Sequence, residues 1–311
     1  MTAKETILVV AEPDNNLGDV IERAEWLATQ YDYSVTLLWC DPDIGPLDSA
    51  LIISNEARDI GQQIIAAQKD LAEELAAPLR INGLAVHTEV LEQRPISEGI
   101  LQRASDLQPA FVIKGTEYHA VAERSIFVDT DWHLMRGCSS PLWLVKPVTL
   151  PDVPTILAAV DPTHSHDKPA SLDQVIVSFA QGLASKTAGK VHLLHTWDAM
   201  AGIGAAVNRT LKPIRIPVED LQQTLAKKHQ AKLEQLAQAN GIAPSETHIL
   251  QGSATEIIPA FARAIGANLV IMGSLARWGL KRAVIGSTAE RTLDQLPCDI
   301  LIVRANTGLE S

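Results

Sequence analysis

At 311 residues, with 46% hydrophobic side chains and a formal net charge of −11, the chain carries enough apolar mass for a full core, which excludes a disordered polypeptide. The acidic balance argues against a general binder of nucleic acid or of anionic membranes. Three scattered cysteines, Cys40, Cys138 and Cys298, show no C-x-x-C spacing and support neither a zinc site nor a disulfide framework.

The length fits two domains of about 150 residues each. Met1-Thr-Ala-Lys-Glu-Thr6 leads directly into an apolar run without a signal-peptide pattern, and no apolar stretch is long enough to span a bilayer. A reduced cytoplasm is therefore the expected compartment, with no membrane or nucleic-acid partner.

Taken in chain order, the apolar runs come in two matching sets of five. Thr6-Ile-Leu-Val-Val-Ala-Glu12-Pro13 echoes Thr155-Ile-Leu-Ala-Ala-Val-Asp161-Pro162. Val35–Cys40 echoes Val191–Thr196, His87–Gln93 echoes Glu246–Gly252, Phe111–Gly115 echoes Leu269–Gly273, and Pro141–Lys146 echoes Asp299–Arg304. Helical patterns separate them: Leu17 to Gln30, Ser54 to Leu79 and Ile96 to Leu107, then Leu172 to Lys186, Val218 to Asn240 and Thr255 to Ile265. Strands that are apolar throughout, alternating with helices, predict parallel sheets covered on both faces. The expected fold is α/β, two tandem doubly wound five-stranded domains at residues 1–147 and 154–306. A stiff linker with prolines at 147, 151 and 154 joins them. The last run of each half ends its domain, and a long apolar edge strand needs a cover. The two halves are expected to supply it as an intramolecular pseudo-dimer, pairing Leu142–Val145 with Ile300–Val303; packing on their own helices is the alternative.

Chemistry concentrates in the second half, after its fourth run. Gly273 ends the run and begins Gly273-Ser-Leu-Ala-Arg-Trp-Gly279, and Gly286-Ser287-Thr288 opens a further helical pattern. A glycine at a strand's end followed by Gly-Ser-Thr at a helix start is a cradle for an anion, because backbone N–H groups and the positive end of the helix dipole converge there. Gly273 is expected to allow close backbone approach and a positive φ. Arg277, Lys281 and Arg282 add positive charge. The competing reading is a loop leading into a well-capped helix, where Gly and Ser are ordinary.

This stretch resembles the phosphate-binding signature of the universal stress protein family, G-x-x-G, nine residues, then G-[S/T]. The duplicated pattern from Thr6 to Arg304 and the peptide Phe127-Val-Asp-Thr-Asp-Trp-His-Leu134 are similar to its tandem members, the E-type bacterial branch in particular. The resemblance implies the adenine nucleotide alpha hydrolase-like fold, a cytoplasmic stress-response role, and frequent dimers, so a homodimer is a further expectation. It implies a site for ATP or another adenine nucleotide, with Mg possible alongside ATP, at Val160, Asp161, Met272, Gly273, Ser274, Ala276, Gly286, Ser287 and Thr288. Asp161 matches the acidic residue near base and ribose, where a carboxylate accepts from hydroxyls; Val160 and Met272 match positions lining the base pocket. Ala276 departs from the pattern, standing where the second glycine is usual. If its φ must be positive, its Cβ costs about 1 kcal/mol.

The first half has lost these features. Tyr118 takes the second-glycine position, and Val128 and Asp129 take those of Gly286 and Ser287. Glu117, Glu123 and Asp131 add carboxylates that repel an anion and occupy a helix N-terminus themselves, with Thr130 or Asp131 read as the N-cap. This half is expected to bind no nucleotide.

Other candidates are weaker. His164, His166, Asp161 and Asp167 cluster after a strand, but a solvated turn is the plainer reading than a metal site. No G-x-S-x-G is present and no histidine has a placed nucleophile, so no catalytic residue is assigned and at most weak ATPase or autophosphorylation is expected. The insertion Ala199 to Pro217 reads as a lid, a channel lining or a packed loop. Beside nucleotide binding stand two alternatives: a binder of a phosphorylated or lipid-like metabolite, and a pseudo-dimer without ligand.

Overall fold

A computed structural model of the chain describes residues 4–13, 16–41, 55–116, 129–163, 171–198, 218–274, 293 and 295–305. The chain divides into two compact units, Met1–Leu150 and Pro151–Ser311. Among the described residues no helix is long and apolar enough to cross a membrane.

The first unit runs β1 (Thr6–Ala11), α1 (Leu17–Tyr31), β2 (Ser34–Trp39), α2 (Asn55–Ile81), β3 (Val86–Val90), α3 (Ile96–Leu107), β4 (Phe111–Gly115), α4 (Asp129–Gly137) and β5 (Leu142–Val145). Its strands lie in the order β3-β2-β1-β4-β5, each paired in parallel with its neighbour. The second unit runs β6 (Thr155–Val160), α5 (Ser171–Thr187), β7 (Lys190–Trp197), α6 (Val218–Ala239), a 3-10 turn at Pro244–Glu246, β8 (Thr247–Gln251), α7 (Ala254–Ala264), β9 (Leu269–Gly273) and β10 (Asp299–Val303). Its order repeats that of the first, β8-β7-β6-β9-β10, again all parallel. Both are doubly wound α/β sheets.

The central strands read as unbroken apolar runs because both faces are covered. Ile7, Leu8, Val9 and Ala11 of β1, and Leu157 and Ala158 of β6, are completely buried. Each helix lays one apolar stripe on the sheet, Val20, Ala24, Leu27 and Ala28 in α1 and Leu172, Ile176, Ala180 and Leu183 in α5. Strand order then fixes where a site can lie. In each unit the direction of winding reverses between the first and fourth strands, so a crevice opens beyond the carboxyl ends of β1 and β4, and of β6 and β9. Register brings these ends level: Val10 pairs with Lys114, and Ala159 with Met272.

Candidate functional site

In the second unit the chain leaves β6 at Val160 and places Asp161 at the crevice, 9% exposed. Its backbone N–H donates to Asp173 Oδ1 in the first turn of α5 at 2.9 Å. The Thr163 hydroxyl donates to Asp161 Oδ1 at 2.8 Å. Asp161 is thus held at the strand's end by its backbone N–H on one side and by its carboxylate on the other. Asp173, 2% exposed, is a support of the Asp161 backbone that sequence reasoning missed. Its one visible signal was an acidic residue in the first turn of a helix that follows a candidate site.

Gly273 and Ser274 sit across the crevice on β9. The expected positive φ at Gly273 is not found: the residue is the last of a regular strand, and the positive-φ glycines among the described residues are Gly83, Gly241, Gly252 and Gly266. The reason for glycine here is space. A Cβ would meet Leu172 Cδ2 at 2.5 Å and Cγ at 2.8 Å, so α5 can approach the sheet only because the side chain is missing. The amide of Ser274 donates to the Val303 carbonyl at 2.8 Å, extending the β9–β10 ladder. The Ser274 N–H is thus taken up by the sheet. Met272 and Val160 lie on the same two strand ends, partly buried and buried respectively. Ala276, Gly286, Ser287 and Thr288, with Arg277, Lys281 and Arg282, fall outside the described residues, as do His164, His166, Asp167 and the insertion 199–217.

A second group, invisible in the sequence, stands on the β7 side of Asp161. His195, 1% exposed, points Nδ1 at the Val160 carbonyl, 3.1 Å away, and lies 3.9 Å from Asp161 Oδ1. Its Nε2 is 2.7 Å from His229 Nδ1 on α6. The His229 ring stacks on Trp197 at the end of β7, with centroids 5.3 Å apart and planes at 24°. Burial, and then the neighbouring His195, hold His229 below the usual imidazole range. Nearer the unit's edge, His192 Nδ1 faces His248 Nε2 at 3.1 Å, with His248 packed on Phe261. Among the described residues no group of three metal-capable side chains gathers.

The first unit fills the corresponding crevice with its own charges. Lys114, at the place of Met272, is 0% exposed and puts Nζ 2.7 Å from Glu12 and 2.8 Å from Asp131. It also donates to the Gly115 carbonyl at 3.1 Å. Burial alone would pull the ammonium down, but Asp131 and Glu12 together raise it above the ordinary lysine value. The reading of Thr130 or Asp131 as N-cap is corrected: α4 already begins at Asp129, so both lie in its first turn. Asp131 there faces the lysine while sitting where the helix dipole favours a carboxylate. Cys40, at the end of β2, is buried beside this group, and burial with the nearby Glu12 pushes its thiol well up. Glu117, Tyr118, Glu123 and Val128 fall outside the described residues.

These two crevices, one carrying a held carboxylate and one a buried ion triad, sit in a chain with many relatives. It is 25% identical over 305 residues to universal stress protein E of Escherichia coli K12, covering 98% of this chain and 95% of the relative. It is equally 25% identical over 303 residues to the universal stress protein E homologue of Haemophilus influenzae, covering 96% of each. Among solved structures, a Pseudomonas aeruginosa UCBPP-PA14 protein of that class superposes with a TM-score of 0.72 at 25% identity, over 97% of this chain and 94% of the other. A universal stress protein from Archaeoglobus fulgidus superposes with a TM-score of 0.64 at 16% identity, over 96% and 98%, a likeness of fold. The family model for universal stress proteins matches residues 4–146 and again 153–304. The chain belongs to the universal stress protein family and carries that family's domain twice.

Proposed function

We propose that the chain is a cytoplasmic stress-response protein that binds an adenine nucleotide in its second half. It would signal through conformation or partner affinity, with little or no turnover. One observation carries the reading: Asp161 is fixed at the crevice by Asp173 and Thr163, whereas the matching place in the first half is closed by Lys114 between Glu12 and Asp131. A fixed, partly dry carboxylate at the end of the first strand suits ribose hydroxyls. The Val160, Met272 and Gly273 positions around it are small or apolar, which suits a base.

The donor set fits the nucleoside end of ATP. The triphosphate end, and any Mg it carries, would fall to Gly286, Ser287 and Thr288 with the basic side chains between. The first half would serve as scaffold and bind no nucleotide.

The test is thermal unfolding with and without ligand. A nucleotide that binds the folded chain raises its melting temperature by mass action. ATP or ADP should raise it, and Gly286→Asp should abolish the shift by placing a carboxylate against the phosphates. No shift at millimolar ATP would exclude the reading.

A further inference from the structure

The histidine pair beside Asp161 has a property that follows from proton counting. The Val160 carbonyl can only accept, and so can the ionised Asp161 carboxylate, so His195 Nδ1, which faces both, must carry a hydrogen. In the neutral ring Nε2 then bears a lone pair. The 2.7 Å contact between His195 Nε2 and His229 Nδ1 is therefore a donation from His229. That places the His229 hydrogen on Nδ1 and leaves a lone pair on Nε2. A charged His195 would reverse the chain, but its ring is 1% exposed, and burying an imidazolium is costly.

His229 is partly exposed, and among the described residues nothing hydrogen-bonds its Nε2. Trp197 holds the ring flat from one side. The titratable and charged groups facing it are the Asp161 carboxylate after β6, which favours a proton, and the His195 imidazole on β7 and Lys228 on α6, which oppose one. Burial adds to the opposition, so the ring is neutral near pH 7.

Position supplies the rest. The strand order reads β9, β6, β7, and neighbouring strands lie about 4.8 Å apart. With the ribose at Asp161 just after β6, a base resting on Val160 and Met272 presents its far edge to the end of β7, where Trp197 and His229 stand.

We propose that His229 is a specificity-determining residue of this site, an obligate acceptor that takes an amino N–H from the base and so selects a 6-amino purine over a 6-oxo purine. The inference rests on the adenine-nucleotide reading above. A 6-oxo group would bring its own lone pairs against His229 Nε2, leaving both unsatisfied. His195 acts as a positioning residue, holding the tautomer that makes His229 an acceptor.

Equilibrium binding of ATP and ITP to the full chain tests it. The native protein should prefer ATP by about tenfold or more near neutral pH. His229→Phe, which keeps the ring stack on Trp197 but removes the acceptor, should bring the two affinities within about twofold. His229→Gln, whose amide can turn either way, should bind both nucleotides. Acidification from pH 6.5 down through the depressed His229 value protonates Nε2 and turns acceptor into donor, so the native preference should shrink along that titration, while His229→Phe should show no such pH dependence. If ATP binds and the ATP-to-ITP ratio is unchanged in His229→Phe and His229→Gln, the inference is overturned and the nucleotide reading stands. If neither nucleotide binds the native protein, both fall together.

Discussion

Lys114 Nζ lies 2.7 Å from the Glu12 carboxylate, at a place where the second half carries Met272 and Asp161. The two pairs occupy the same strands of a repeated sheet, so one duplication has produced two chemistries. In the first half the acidic residue is spent on an internal lysine, which Asp131 binds from the other side at 2.8 Å. Lys114 on β4 thus engages the carboxylate at the end of β1, whereas Met272, its counterpart on β9, brings no charge to Asp161.

Lys114→Met should be strongly destabilising although methionine is what the other half tolerates. The substitution removes the ammonium from between the buried Glu12 and Asp131 carboxylates, and breaking a buried ion pair in this way costs about 3–5 kcal/mol. Lys114→Met with Glu12→Gln and Asp131→Asn should recover much of the loss, because no charge is then stranded. Urea unfolding followed at several wavelengths measures both; equal midpoints for the single and triple variants would remove the triad from the account.

Gly273→Ala probes why glycine ends β9. If the residue provides room for Leu172, the added methyl overpacks the α5–β9 contact and costs about 1–3 kcal/mol. Leu172→Ala opens a cavity by itself, but in its presence Gly273→Ala should become nearly neutral. A double-mutant cycle reads the difference as a coupling between the two sites. Additive effects would point back to a backbone requirement.

Strand and helix positions followed from apolar runs and their repetition, since those patterns are local and appear twice. Asp161 was legible because its position at a strand's end is itself a sequence feature. The role of Gly273 was half legible: close approach could be foreseen, but the approaching atom belongs to Leu172, 101 positions earlier in the chain. Lys114 lay in plain view within an apolar run, yet its partners Glu12 and Asp131 come together only once β1, β4 and α4 are packed. His195 and His229 were opaque for the same reason, their meeting depending on which face α6 turns to β7.

Stability should fall on mild acidification. Burial, followed by the neighbouring imidazole, depresses both His229 and His248 below their ordinary value of 6.5. A depressed histidine is more readily protonated in the unfolded chain than in the folded one. Its contribution is therefore complete above about pH 6.5 and is lost as pH falls from there through the folded value. Melting temperature should decline in that window, and His229→Phe with His248→Phe should flatten the decline. A doubly substituted chain with the native slope would assign the acid sensitivity to other groups.

Asp173 gives the sharpest separation of support from contact. Its Oδ1 accepts the backbone N–H of Asp161 from within α5. Asp173→Ala strands a buried N–H, a loss of about 1–3 kcal/mol in stability, and frees the segment that positions the Asp161 side chain. The ATP-induced rise in melting temperature should shrink in this variant even after its lower starting temperature is allowed for. Asp173→Asn, which keeps a carbonyl oxygen at the same place, should restore most of both quantities. Asp161→Asn should do the opposite, leaving stability nearly intact while weakening ATP, because the amide retains the acceptor for Thr163 but loses the charge that strengthens bonds from ribose hydroxyls. Isothermal titration on the three variants, run beside their melting curves, distinguishes these patterns. Equal losses of affinity and stability in all three would mean that Asp161 serves the fold alone.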